Sequence, residues 1–310
     1  MAIFATVFKL GTLGEVKESL RSENGVLGDW LNNQHMFCRA KCSFNYFPQP
    51  TVHWIELTYP DIESLDRERT VIVLPVGSIE VHGPHLPLGL DGLMIHSVAL
   101  EASRRSPPAL VLPPLYYAYV PENRHFPGAI SLSGSTFLKL LEEICDEVYR
   151  NGFKRILILN GHGGNRRPLS LFVREMQEKG KRYLLYAWVE PMEGLEDLIN
   201  EIRETEPIGH ACEIETSLAL HLFPHLCKLE RVKGPAKLGP AQIARNVRTM
   251  ADWVCYAIEG YVGDPRAATA EKGRRLFEGW VSRVAKLLDE IRSDRLYEKV
   301  MDDYYRRSGK

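Results

Sequence analysis

Three short apolar runs punctuate the chain: TVIVLPVG (70–77), RILILNG (155–161) and RYLLYAWV (182–189). Each is aliphatic and bounded by charge or glycine, which predicts strands buried on both faces, as in a parallel sheet. Between them the period changes. Leu138, Leu141, Cys145 and Val148 recur at three- and four-residue spacing and predict a helix over 135–151. Ser135 can cap its start and Gly152 ends it. Further helices are predicted over 167–179, stopping at Gly180, over 213–222, and over about 266–293. Strands alternating with helices predict a layered α/β fold with a mainly parallel sheet.

Residues 1–52 break this regularity and end in FPQPT, whose two prolines suggest a linker near 48–50. The expected organisation is an N-terminal extension (1–52), a main domain (53–295) and a C-terminal tail (296–310). Apolar residues make up 45% of the 310, enough for a sizeable core. Lys+Arg is 39 against Asp+Glu 40, a balance that argues against a nucleic-acid coat or a polybasic membrane binder. No apolar run reaches the roughly 18–20 residues of a membrane span. The N-terminus has no positive charge ahead of its apolar stretch, so it is a poor signal peptide. Six scattered cysteines in a long chain are no disulfide framework. A cytoplasmic protein is expected.

Ligands of parallel sheets bind beyond the carboxyl ends of the strands. After the first run comes GSIEVHGPHLPLGLDG, offering Glu80, His82, His85 and Asp91; after the second comes NGHGGN, with His162 between glycines. Glu80 and His82, two apart, share a side of an extended chain. Carboxylates and imidazoles suit zinc, manganese or iron(II) rather than a thiolate site. A shared aspartate also suits two metals about 3.5–4 Å apart. A third cluster, GHACEIETS (209–217), holds His210, Glu213 and Glu215. Acids there suit a helix N-terminus. They also suit a general acid/base histidine with an orienting carboxylate and a further metal ligand. Glu122, Arg124 and His125 in PENRHFPG are expected to line the pocket, and His85 to be either a supporting or a structural residue. His96, His221 and His225 read as helix packing or surface residues. His35, Cys38 and Cys42 are too sparse for a zinc knuckle, and Cys212 reads as a small apolar pocket residue.

LPVGSIEVHGPHLPLGLD, FPGAISLS, NGHGGN, GHACEIETS and GDPRAATAEKGRRLFE, in this order, resemble the creatininase (creatinine amidohydrolase) family over about residues 53–295. The resemblance implies a three-layer α/β/α sandwich and hydrolysis of an amide or cyclic amide C–N bond in a small molecule. It implies two divalent ions, Zn, Mn or Fe: one on Glu80, Asp91 and His162, the other on His82 and the bridging Asp91. It implies His210 as proton carrier, with Glu215 beside it, and a homo-oligomer, a hexamer being favoured. In creatininase proper the position of Gly164 is a glutamate binding the second metal. The missing carboxylate is therefore expected from Glu213. The N–H groups of Gly163 and Gly164 are candidates for holding an oxyanion. Creatinine itself is not the expected substrate, since Trp188 is the only tryptophan between the second and third motifs. The alternatives are a non-catalytic metal-stabilised binding protein, or a ring-opening hydrolase of a cyclic carbonyl compound such as a keto-cyclitol.

Overall fold

A computed structural model describes residues 51–240 and 247–309. The expectations for residues 1–50, including His35, Cys38, Cys42 and the proline linker, lie outside the described residues. Four strands, β1 (Val71–Val76), β2 (Ala109–Val111), β3 (Arg155–Asn160) and β4 (Leu184–Trp188), form a parallel sheet in the order β2-β1-β3-β4. The helices are α1 (Tyr59–Ser64), α2 (Leu90–Arg105), α3 (Gly134–Arg150), α4 (Arg166–Glu178), α5 (Glu196–Ile202), α6 (Glu213–Leu222), α7 (Asp252–Tyr256), α8 (Ala270–Ser293) and α9 (Leu296–Ser308).

Strand alternation distributes the apolar runs between two cores. Val71, Val73, Leu157 and Leu159 face α2, α6 and α8, meeting Met94, Ile95, Leu218, Leu276, Trp280 and Val284. Ile72, Leu74, Ile156 and Ile158 face α3 and α4, meeting Phe137, Leu141, Cys145, Leu169 and Phe172. Helices on both faces of a parallel sheet make the expected α/β/α sandwich, and they explain why both β1 and β3 are buried at every position.

Three details differ from expectation. Ser133, not Ser135, caps α3: its hydroxyl accepts from Thr136 N at 3.1 Å, because the helix begins one residue earlier. Asp91, over which no helix is predicted, stands in the first turn of the 16-residue α2. The 296–310 tail includes a helix. α9 is docked by Tyr305, whose hydroxyl donates to Lys181 O at 3.0 Å, and by Arg182 over the Tyr305 ring.

β1 and α2 approach so closely that only glycine fits between them. A Cβ on Gly77 would stand 2.2 Å from Gly92 N. That contact brings the first turn of α2, and with it Asp91, against the carboxyl end of β1.

Candidate metal centre

The carboxyl ends of β1 and β3 lead directly into the residues that meet. Asn160, the last residue of β3, accepts from His162 N at 3.1 Å and donates to His162 O at 2.8 Å. This small ring turns the chain so that the His162 side chain points inward. Asn165 donates to Gly77 O at 3.1 Å and ties this turn to the end of β1.

Asp91 lies at the middle. Its Oδ1 is 3.0 Å from His82 Nε2 and its Oδ2 is 2.9 Å from His162 Nδ1, while Ser78 Oγ donates to Oδ2 at 2.8 Å. Glu80 Oε1 is 2.8 Å from His162 Nδ1 and 3.8 Å from His82 Nε2. Asn123 donates to the other oxygen of Glu80 at 2.6 Å. Glu215 Oε2 is 4.0 Å from both His82 Nε2 and His210 Nδ1. His210 Nδ1 is also 3.7 Å from Glu80 Oε1, and its ring lies 4.3 Å from that of His82. Glu80, His82, Asp91 and His162 are all buried.

The donor set fits divalent cations. Ligand atoms at right angles around an ion at about 2.0–2.2 Å are about 2.8–3.1 Å apart, the spacing of the Asp91–His82, Asp91–His162 and Glu80–His162 pairs. Glu80 Oε1 is buried and accepts no aligned hydrogen bond, although a histidine nitrogen is 2.8 Å away. Buried acceptors are rarely left so. Glu80, His82 and His210 form one group of convergent donor atoms; Glu80, Glu122 and His162 form another.

The electrostatics reflect three carboxylates in a small buried volume. Burial pushes the His82 ring down, but Asp91, Glu80 and Glu215 outweigh it and raise it to about 9. Against burial, Glu80 and Asp91 raise His162 well above the usual imidazole range. Burial also opposes the ionised form of Asp91, yet the two histidines hold it well below its usual value. Burial and the Asp91 charge raise Glu215. Burial lowers His210, with His82 adding to the effect. Burial lowers His85 to about 4.

Glu213 is a correction. It is buried in the first turn of α6 but points away from this cluster. Its carboxylate accepts from Glu204 N and Thr205 N at 3.0 and 2.9 Å, from Thr205 Oγ1 at 2.7 Å, and from Lys272 Nζ. Such a saturated carboxylate has no oxygen left for a cation. The acid of this helix that reaches the cluster is Glu215, placed there by a 2.6 Å hydrogen bond from Ala211 N.

The remaining candidates sit at the rim. Glu122 is partly exposed, with Oε1 3.8 Å from His162 Nε2. Gly163 and Gly164 are exposed in the turn before α4. A Cβ on Gly164 would stand 2.3 Å from His162 Nε2 and 2.9 Å from Glu122 Oε1, so no carboxylate-bearing side chain fits there without displacing both. Arg124 and His125 are exposed, and the His125 ring lies 4.2 Å from Phe126, outside the buried cluster. Sequence reasoning missed Trp253 on α7. Its ring stands edge-on to His210 at 5.4 Å, and its buried Nε1–H has no acceptor. No motif surrounds it, so only the fold reveals it.

Residues 55–288 match the family model described as creatininase, creatinine amidohydrolase. The chain is 30% identical over 259 residues to creatinine amidohydrolase of Pseudomonas putida, covering 76% of this chain and 95% of that protein. It is 31% identical over 238 residues to the mycofactocin precursor peptide peptidase of Mycolicibacterium smegmatis, covering 73% and 87%. It is 26% identical over 269 residues to 3-dehydro-scyllo-inosose hydrolase of Thermotoga maritima, covering 78% and 85%. Among solved structures, a mutant creatininase of Zn–Zn type matches with a TM-score of 0.67 at 27% identity, over 79% of this chain and 99% of that one.

Proposed function

This chain belongs to the creatininase family of hydrolases, and from that premise we propose that it is a binuclear metal-dependent amidohydrolase acting on an amide or cyclic amide C–N bond of a small molecule other than creatinine. The observation behind the proposal is Asp91, which offers one oxygen to the His82 side of the centre and the other to the His162 side. Glu80, Asp91 and His162 would hold one ion; His82, Asp91 and Glu215 would hold the other. Bound there, zinc, manganese or iron supplies Lewis acidity and a water ionised near neutral pH.

The protein's own groups do the rest. His210 Nε2 lies 2.6 Å from Val81 O; an imidazole nitrogen facing a carbonyl must carry the proton, so Nε2–H donates and Nδ1 faces the centre. Burial favours the neutral ring, so Nδ1 can take a proton and deliver it to the leaving nitrogen. Glu215, held by Ala211 N, stands where it can orient the protonated ring. The N–H groups of Gly163 and Gly164, two exposed residues beside His162, would steady negative charge on the carbonyl oxygen. Trp253 and Glu122 line the approach, with His125 at its outer edge.

A second reading has one observation in its favour. Similarity to 3-dehydro-scyllo-inosose hydrolase suits a ring-opening hydrolase of a cyclic carbonyl compound, using the same residues on a C–C rather than a C–N bond. Metal analysis of the purified protein, followed by a panel of amides, lactams, short peptides and keto-cyclitols, separates the two. Amine or ammonia release supports the amidohydrolase; turnover of the keto-cyclitol alone supports the second reading; a protein that binds no divalent ion defeats both. The same proposal includes a cytoplasmic homo-oligomer, a hexamer on the resemblance, which light scattering after gel filtration measures. Among the described residues no helix is long and apolar enough to cross a membrane.

A further inference from the structure

His85 sits among the metal-ligating loop residues, yet the mechanism makes no use of it. It is 1% exposed, and its main-chain carbonyl is anchored by a 2.8 Å hydrogen bond from Lys228 N. Its Nε2 lies 2.9 Å from Thr216 Oγ1, on α6, while its Nδ1 is buried with no hydrogen-bond partner.

Thr216 Oγ1 is also 3.3 Å from Ala211 O. A hydroxyl has one proton, and a carbonyl can only accept. With the proton of His85 on Nε2, Thr216 accepts from it and gives its own proton to Ala211 O, so both contacts are hydrogen bonds; the other tautomer would take the Thr216 proton instead. Satisfying both contacts gives the order His85 to Thr216 to Ala211.

Ala211 is the unusual residue at its end. Its φ is +50, a left-handed conformation in which Cβ crowds the backbone and which few non-glycine residues adopt. Such strain persists where surrounding contacts over-determine it. Here the contacts hold functional groups on either side. Ala211 N donates to Glu215 Oε2 at 2.6 Å, and the preceding residue is His210.

We infer that His85 is a positioning residue: through Thr216 it locks the left-handed turn at Ala211, and that turn sets where Glu215 and His210 stand against Glu80, His82 and Asp91. The inference rests on the binuclear reading for its consequence, since His85 lies in the loop that carries Glu80 and His82 and leads into α2, while Thr216 adjoins Glu215. His85 thus keeps the two ligand-bearing segments in register.

The test uses the full chain and two probes, Zn²⁺ and Co²⁺, titrated against a chelator. In Thr216→Val and His85→Leu, the affinity for one of the two ions should fall about 10–100-fold, as on losing a group that orients a ligand, and the other should hold. Thr216→Ser, which keeps the hydroxyl, and His85→Gln, which keeps an N–H donor, should restore it. Long-range ¹H–¹⁵N spectra of the wild-type imidazoles should show His85 protonated on Nε2, and the His210 ring signals should move in Thr216→Val. Folded Val and Leu variants with both affinities unchanged would overturn the inference, as would a His85 protonated on Nδ1. If the wild type binds neither ion, the metallohydrolase reading fails by itself. The positioning role is then decided by the spectra: His210 signals unmoved in Thr216→Val reject it.

Discussion

Asp91 Oδ2 and His162 Nδ1 stand 2.9 Å apart, joining the first turn of α2 to the loop after β3. Because the other Asp91 oxygen reaches His82, Asp91 touches both the His82 side and the His162 side of the cluster. Asp91→Asn should therefore lose both ions, not one. Elemental analysis should find less than one ion per chain after gel filtration, against two in the wild type, with the circular dichroism unchanged.

His210 should behave differently. His210→Ala should keep its ions and its fold while kcat falls about 10²–10⁴-fold, the usual contribution of general acid–base catalysis. The loss should shrink for substrates whose leaving group needs no proton. Wild-type turnover, or depleted metal, would remove His210 from that role.

Gly164→Ala tests the space beside His162. Gly164 lacks a positive φ, so the backbone accepts alanine, but the new Cβ would press on His162 Nε2 at 2.3 Å. The expected result is a metal affinity about 10–100-fold weaker with little change in melting temperature.

The raised histidines predict proton release. The surrounding carboxylates raise His82 to about 9 and His162 well above its usual range, so both should carry a proton at neutral pH in metal-stripped protein, and a ligand imidazole must give up its proton. Calorimetry in buffers of different ionisation enthalpy should show protons released on zinc binding, with apparent affinity rising up to about pH 9. The stripped protein has the opposite trend. A raised pKa adds stability fully present below the unfolded value of about 6.5 and lost as pH rises through about 9. Its melting temperature should fall over that interval.

Glu142 offers a control far from the centre. The Lys179 hydrogen bond, aided by Lys181 and opposed by burial, holds its carboxyl at about 2. A lowered carboxyl pKa stabilises above the unfolded value of about 4.3, and that stabilisation is lost as pH falls towards 2. Lys179 is 45% exposed, so screening limits the effect. Glu142→Gln should cost about 1 kcal/mol, or about 2–4 °C, at pH 7 and nothing near pH 2.

Much of this was legible in the linear sequence. β1 and the Ile156–Leu159 centre of β3 were written in apolar runs because a strand covered on both faces must be apolar there, while the edge strand β4 is buried only at Leu184 and Leu185. The residues following β1 and β3 stood out because parallel strands deliver their carboxyl ends to one side, and Glu80, His82, Asp91 and His162 meet there. β2 was missed because three residues are too few to set a period.

What the tertiary structure decided was direction. Glu213 and Glu215 are two residues apart in one helical turn, and about 100° per residue turns them to nearly opposite sides. Composition and spacing treat them alike; only the packing of α6 against α8 sends Glu213 to Lys272 and leaves Glu215 facing His82. Trp253 reaches His210, and His85 reaches Thr216, across gaps in sequence that no local pattern bridges. A sequence states which groups are available, and periodicity states which elements bear them. Which face of a helix meets which loop is fixed by the packing of the whole core.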